Sequence, residues 1–147
     1  MIDELWQVDP SHPGVWLAST RIAARWYAGE NGSVVTAELG TRDVLDLRDP
    51  NIFKDLLTRT AFRCRMAQVR KAHANGNLYL LDDGAIQNAL VAEAFRSHAG
   101  VVLRDRTDTH SHLSLVLQRP DALTVLSERP VRPALQNQDE KLRARGA

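Results

Sequence analysis

The order of its secondary-structure signals constrains the fold of this 147-residue chain more than any other feature. Short apolar or β-branched segments alternate with longer segments in which apolar residues recur at helical spacing. From the amino end, the predicted order is strand, helix, strand, strand, helix, helix, strand, strand. Strands are therefore concentrated towards both ends of the chain and helices lie between them, which predicts an α+β fold.

The first unit combines a short strand, a helix cap and a helix. Apolar residues 15–17 precede Ser19 and Thr20, whose hydroxyls suit the N-cap position. A helical period that includes Trp26 and Tyr27 follows directly. The unit can be a capped amphipathic helix with aromatic residues in the core. It can also be a ligand site in which the hydroxyls donate hydrogen bonds and an aromatic ring offers a stacking face.

The longest helical stretch, residues 50–73, is strongly basic. Residues 51–80 carry a net charge of +5, although the whole chain carries only +1. The basic residues are Lys54, Arg59, Arg63, Arg65, Arg70 and Lys71. Because they are spread around the helix, they favour a solvated face or a docking face for an acidic protein, with nucleic-acid phosphates as a further candidate partner.

A polar loop is predicted between two apolar strands near residues 101–103 and 113–117. It begins at Arg104 and contains Asp105, Asp108 and His112. Such a loop is either a solvated connection or a place where a rigid scaffold positions catalytic groups. Without a third ligand at a suitable spacing, its histidines do not predict a metal site.

Composition and terminal sequences exclude several classes of protein. The single cysteine, Cys64, excludes an internal disulfide framework and is interpreted as a buried thiol. Neither a secretory signal nor an apolar run long enough to span a bilayer is evident, so a cytoplasmic protein is expected. Residues 1–127 are expected to form a single domain. Residues 128–147 are expected to be a tail that is flexible or ordered by a partner.

Several of these segments together resemble small ADP-ribosyltransferase-like domains. In the first half, the resemblance rests on residues 14–20, the Ala-Arg-Trp-Tyr-Ala sequence at 24–28, and the strands near 33–39 and 44–47. In the second half, it rests on the helix 84–98, the Gly-Val-Val sequence at 100–102, and residues 115–125. The resemblance covers about residues 5–126 and is one of pattern and order.

The resemblance implies a fold and a cofactor. The implied fold is a split pair of small antiparallel sheets that hold NAD in the cleft between them. Ser19 and Thr20 match the hydroxyl motif that supports the nicotinamide riboside, and Tyr27 matches the aromatic residue that packs over the nicotinamide, with Trp26 beside it. Gln7 lies where the family usually has an arginine or histidine that grips NAD.

The chain departs from the family at the catalytic position. The family's glutamate is expected near the strand 113–117, where this chain has Leu113 and Ser114. Cleavage of the nicotinamide–ribose bond develops positive charge on the sugar, which a carboxylate stabilises directly. Asp105 is therefore the first candidate for the catalytic residue, and Asp108 and His112 are the second choices.

Two functions are therefore expected as alternatives. The first is an NAD-dependent mono-ADP-ribosyltransferase that modifies a protein or another macromolecule, in the manner of a toxin, an effector or a phage-type modifier. A protein of that kind can have a cognate inhibitor or antitoxin as a further partner. The alternative is a catalytically inactive domain of the same fold that contacts an acidic protein or a nucleic acid through the basic stretch at 51–73.

Overall fold

The computed structural model of the chain describes residues 4–5 and 14–131. The strands are β1 (Glu4–Leu5), β2 (Val15–Ala18), β3 (Ser33–Leu39), β4 (Val44–Asp46), β5 (Gly100–Arg106), β6 (Ser111–Leu117) and β7 (Leu123–Pro130). The α-helices are α1 (Arg21–Ala28), α2 (Pro50–Thr58), α3 (Met66–Ala74) and α4 (Ala85–Phe95). Short 3-10 turns occupy Arg63–Arg65, Leu78–Gly84 and Pro120–Ala122. The predicted α+β single-domain fold is confirmed.

The strands are arranged in the order β4-β5-β6-β2-β1-β3-β7. The two-residue strand β1 pairs with β2 on one side and with β3 on the other, through two residue pairs each. It thereby connects a four-stranded half, β4-β5-β6-β2, with the β3–β7 hairpin. The seven strands thus form one continuous sheet, and its two halves correspond to the predicted pair of sheets. One pairing, β4 with β5, is parallel and departs from the predicted antiparallel arrangement.

The four-stranded half is apolar on both faces. Trp16, Val101 and Val116 belong to the main core, where they are buried together with apolar residues of α2, α3 and α4. Leu17, Leu115 and Leu117 form a second core. Apolar residues near the junction of β3 and β7, among them Leu39 and Leu123, pack against this second core. Packing on both faces fixes the ends of β2, β5 and β6, where the candidate site lies.

The prediction of one continuous helix over residues 50–73 was wrong. Two helices, α2 and α3, occupy this stretch, and Thr60 lies in the break between them. Its hydroxyl donates a hydrogen bond to the Leu57 carbonyl at 2.8 Å and accepts one from the Phe62 amide at 3.2 Å. A side-chain hydroxyl that serves backbone groups in this way competes with the regular helical hydrogen bonds. The apolar residues 78–81, which suit either a strand or the approach to the next helix, lie in the 3-10 turn that precedes α4.

Three further predictions are corrected. The polar loop between β5 and β6 spans only residues 107–110, because β5 continues to Arg106 and β6 begins at Ser111. The boundary of the predicted tail at residue 128 falls inside β7, which pairs with β3 as far as Pro130, and residues 132–147 lie outside the described residues. The thiol of Cys64 is exposed. Within residues 4–5 and 14–131, no helix has the length and apolar character to cross a membrane.

Candidate functional site

A pocket of about 270 Å³ lies where β2 ends, beside the end of α3 and the adjoining parts of β5 and β6. Its lining includes Ser19 and Thr20 after β2, Asn75 and Gly76 after α3, Arg104 and Asp105 on β5, and Ser111 and His112 on β6. Four residues singled out from the sequence therefore meet at one pocket. They are Ser19, Thr20, Asp105 and His112.

Ser19 and Thr20 are held in place by backbone groups. The Ser19 amide donates to the Leu113 carbonyl at 2.9 Å, and the Ser19 hydroxyl accepts from the Leu113 amide at 2.8 Å. Thr20 is the N-cap of α1, and its hydroxyl accepts from the Ala23 amide at 3.2 Å. Each hydroxyl serves as an acceptor in these contacts, so its own hydrogen remains available for a ligand.

Asp105 lies on β5 with its carboxylate fixed on both sides. One oxygen, Oδ2, accepts a hydrogen bond from the Ser114 hydroxyl at 2.8 Å. The other, Oδ1, accepts from the Arg106 amide at 2.8 Å. Asp105 is 5% exposed and Ser114 is fully buried. The protein's own hydrogen bonds therefore fix the position of the Asp105 carboxylate before any ligand binds.

A chain of polar side chains continues from Asp105 behind the pocket. The Tyr27 hydroxyl forms a hydrogen bond with the Asp105 carboxylate and lies 3.3 Å from Nε2 of His112. The His112 Nδ1 donates to the Leu113 carbonyl at 3.0 Å, since a carbonyl can only accept. The Tyr27 hydroxyl also lies 3.5 Å from the Arg106 carbonyl oxygen, so Asp105, Tyr27 and His112 form one connected polar cluster.

Burial raises the pKa of two groups in this cluster, Asp105 and Tyr27. Burial raises the pKa of the Asp105 carboxyl, while the hydrogen bonds from Ser114 and Arg106 and the nearby His112 oppose that rise. Burial and the Asp105 charge raise the pKa of Tyr27, so its hydroxyl keeps its proton and serves as a donor. A titratable carboxyl with a raised pKa at the wall of a pocket is typical of functional sites.

The end of α3 approaches β5 closely at Gly76. This residue has a positive φ of 72°. A Cβ added to it would lie 2.7 Å from the carbonyl oxygen of Asp105. The pocket wall therefore requires glycine for both its backbone conformation and its lack of a side chain.

The remaining predicted site residues lie elsewhere. Asp108 is exposed in the 107–110 connection and does not line the pocket. Tyr27 lies behind the pocket, beside His112, and is not among the lining residues. Trp26 is 51% exposed and meets Tyr27 edge-on, with ring centroids 5.1 Å apart. Gln7 lies outside the described residues.

Sequence reasoning missed the contributions of Ser114, Gly76 and Arg104. Ser114 was noted only as an occupant of the glutamate position, whereas its hydroxyl contacts Asp105. One signal was present in the sequence, because Val101, Leu103 and Asp105 alternate with a period of two, which would have extended β5 to the carboxylate. For Gly76 no signal beyond a helix-ending Asn-Gly pair was available.

The basic stretch is partly neutralised. Arg59 approaches Asp55 and Glu93, and Arg65 forms an ion pair of 2.6 Å with Asp82. The other four basic side chains are exposed and form no ion pair with an acidic residue in the described part of the chain. They are Lys54, Arg63, Arg70 and Lys71.

Among residues 14–131, no cluster of three or more histidine, cysteine, aspartate or glutamate side chains is arranged to hold a metal ion. Comparisons of the chain with protein-family models, with characterised proteins and with solved structures give no match.

Proposed function

We propose that this chain is an NAD-dependent mono-ADP-ribosyltransferase whose fold is of the ADP-ribosyltransferase type, with a macromolecule as acceptor. One observation carries the proposal. Ser19 and Thr20, near the amino end of the domain, and Asp105, near its carboxyl end, line a single pocket. The two sheet halves, which β1 joins by strand pairing, are consistent with the fold that the sequence resemblance implies.

The pocket suits the nicotinamide–ribose end of the dinucleotide. Its volume of about 270 Å³ is smaller than the roughly 300–1,000 Å³ of sites that enclose a whole drug-sized ligand. The remainder of the nucleotide therefore lies outside the pocket. Ser19 and Thr20 donate hydrogen bonds to the riboside.

Asp105 supplies the electrostatic stabilisation. In the transfer, the bond between ribose and nicotinamide breaks, nicotinamide leaves with the electron pair, and an acceptor nucleophile bonds to the ribose and loses a proton. The Asp105 carboxylate faces the positive charge that develops on the sugar. A fixed charge at a buried site stabilises such a state more than the same charge in water.

Ser114, Tyr27 and His112 are positioning residues. The Ser114 hydroxyl orients the carboxylate from β6, the strand where the family's glutamate is expected. Tyr27 contacts the carboxylate from α1, and His112 contacts Tyr27. In this arrangement, β5 provides the Asp105 carboxylate, and a hydroxyl on the neighbouring strand β6 positions it.

Substitution of Asp105 tests the proposal. Asp105→Asn keeps the size of the side chain and removes its charge, so transfer of label from a tagged NAD to protein should fall about 100-fold or more. Ser114→Ala keeps the carboxylate and loses one hydrogen bond of about 1 kcal/mol, so the fall should be several-fold. Asp121→Asn makes the same charge change at an exposed turn and should leave transfer unchanged.

Thermal unfolding with and without NAD is measured on the same variants. The proposal is supported if Asp105→Asn loses transfer but still folds and is still stabilised by NAD. That combination would identify Asp105 as a catalytic carboxylate. Equal transfer by Asp105→Asn and the wild type would refute the assignment.

The alternative function is a binding module without catalysis. It is favoured by the four exposed basic side chains, Lys54, Arg63, Arg70 and Lys71, that have no acidic partner in the described residues. Binding of this kind weakens steeply with salt. A titration with NAD distinguishes the two functions, because a binding module would not be stabilised by the dinucleotide.

A further inference from the structure

A second cavity, of about 200 Å³, lies between α1 and the β3–β7 hairpin. Arg21 and Arg25, one helical turn apart on α1, line one wall, and Arg129 on β7 lines the other. Of the described residues that line it, none is acidic. The cavity shares no lining residue with the pocket that contains Asp105. We call it the arginine pocket.

The register of the hairpin places hydroxyl groups beside the third arginine. Thr36 on β3 is opposite Ser127 on β7, and Val34 is opposite Arg129. Residues opposite one another, and residues two apart along a strand, share a face of the sheet. Thr36, Ser127 and Arg129 therefore share one face, so hydroxyl donors accompany the guanidinium group on this wall.

Two of the three arginines of the arginine pocket have no acidic partner among the described residues. Arg25 and Arg129 are exposed and form no ion pair with any acidic side chain in residues 14–131. The guanidinium groups of Arg25 and Arg129, on two walls of one cavity, make a local positive potential that attracts an anion. The planar guanidinium fork matches the oxygens of phosphate in two-point contacts.

We propose that the arginine pocket binds a phosphate or pyrophosphate group. Its volume of about 200 Å³ is below the range of sites that enclose a drug-sized ligand, which favours a small anion. Arg25 and Arg129 hold the phosphoryl oxygens, and the Thr36 and Ser127 hydroxyls donate further hydrogen bonds. This site does not depend on the function proposed for the pocket at Asp105.

Calorimetric titration with inorganic pyrophosphate at low salt tests the proposal. The wild type should bind one equivalent in a saturable manner. Arg25→Gln and Arg129→Gln should each weaken that binding about tenfold or more, since a charge-assisted contact contributes substantially. Arg129→Lys keeps the positive charge but loses the two-point contact of the guanidinium group. Its affinity for pyrophosphate should lie between those of the wild type and Arg129→Gln. Arg119→Gln removes an equally exposed arginine outside the cavity and should bind like the wild type.

Two results would overturn the proposal: no saturable binding by the wild type, or binding by Arg25→Gln and Arg129→Gln that equals that of Arg119→Gln. Both substituted side chains are exposed, and melting curves identify any variant that fails to fold.

Two further measurements identify the source of the phosphate and its relation to the other site. Competition by NAD would identify the phosphate as that of the dinucleotide, and independent binding would identify a separate phosphate ligand. Asp105→Asn should bind pyrophosphate normally, so failure of the transferase proposal can be distinguished from failure of this one.

Discussion

His73 shows how a single buried side chain ties the main core to the strand that carries Asp105. Its Nε2 accepts a hydrogen bond from the Arg104 backbone amide at 3.0 Å. Its ring stacks on Phe53, with centroids 4.7 Å apart. Burial, together with the charge of Arg104, lowers the pKa of His73 from 6.5 to about 4. The folded protein therefore requires the neutral imidazole.

The pH dependence of stability should reveal this requirement. The stabilising effect of neutral His73 is complete above pH 6.5 and is lost as the pH falls from 6.5 towards 4, where the folded protein would have to take up a proton. The loss in the free energy of unfolding from this group is about 3 kcal/mol. Urea unfolding of the wild type at several pH values in this window measures it.

The matched variant is His73→Gln, because its amide oxygen can accept the same Arg104 hydrogen bond but does not titrate. The difference in unfolding free energy between wild type and variant should shrink as the pH falls from 6.5 to about 4. A difference that is independent of pH over this window would show that His73 is not held neutral.

At the scale of elements, the close approach of α3 to β5 forms one wall of the pocket. Gly76→Ala would bring a methyl group against the Asp105 carbonyl and impose a positive φ on alanine. We expect a loss of about 2–5 kcal/mol of unfolding free energy, from left-handed backbone strain together with the clash.

Gly84→Ala is the control for the strain alone. Gly84 is also left-handed, with a φ of 86°, and its added Cβ would meet only the Tyr79 carbonyl at an ordinary 3.9 Å. Gly84→Ala should lower the free energy of unfolding, measured with a chemical denaturant, by about 1–2 kcal/mol. Equal losses for the two variants would argue that Gly76 does not form a tight contact with β5.

Elements with a local signal could be predicted from the sequence. The Thr20 cap and α1 were predicted because a hydroxyl before a helical apolar period is a local feature. The break at Thr60 was not predicted, because it depends on a hydroxyl that forms hydrogen bonds with the backbone inside an otherwise helical sequence pattern. The end of β5 was missed because Asp105 is polar but buried, and its burial is explained by contacts with Ser114, Tyr27 and the Arg106 amide that form only in the folded protein.

At the scale of the whole molecule, the pocket depends on contacts between distant parts of the sequence. Ser19 meets Leu113, Tyr27 meets His112, and both contacts join the first unit of the chain to β6. Local periodicity contains no information about such pairings. Only the resemblance of the segment order to a known type of domain led to the expectation that Ser19, Thr20 and Asp105 would meet.

The most direct test of the account is a crystal structure of the protein with bound NAD. We predict that the nicotinamide riboside occupies the pocket, with its sugar within hydrogen-bond reach of Ser19 or Thr20. The carbon that bears the nicotinamide should face the Asp105 carboxylate. Well-ordered dinucleotide bound elsewhere, or crystals that take up no NAD at concentrations saturating for known transferases, would contradict the account.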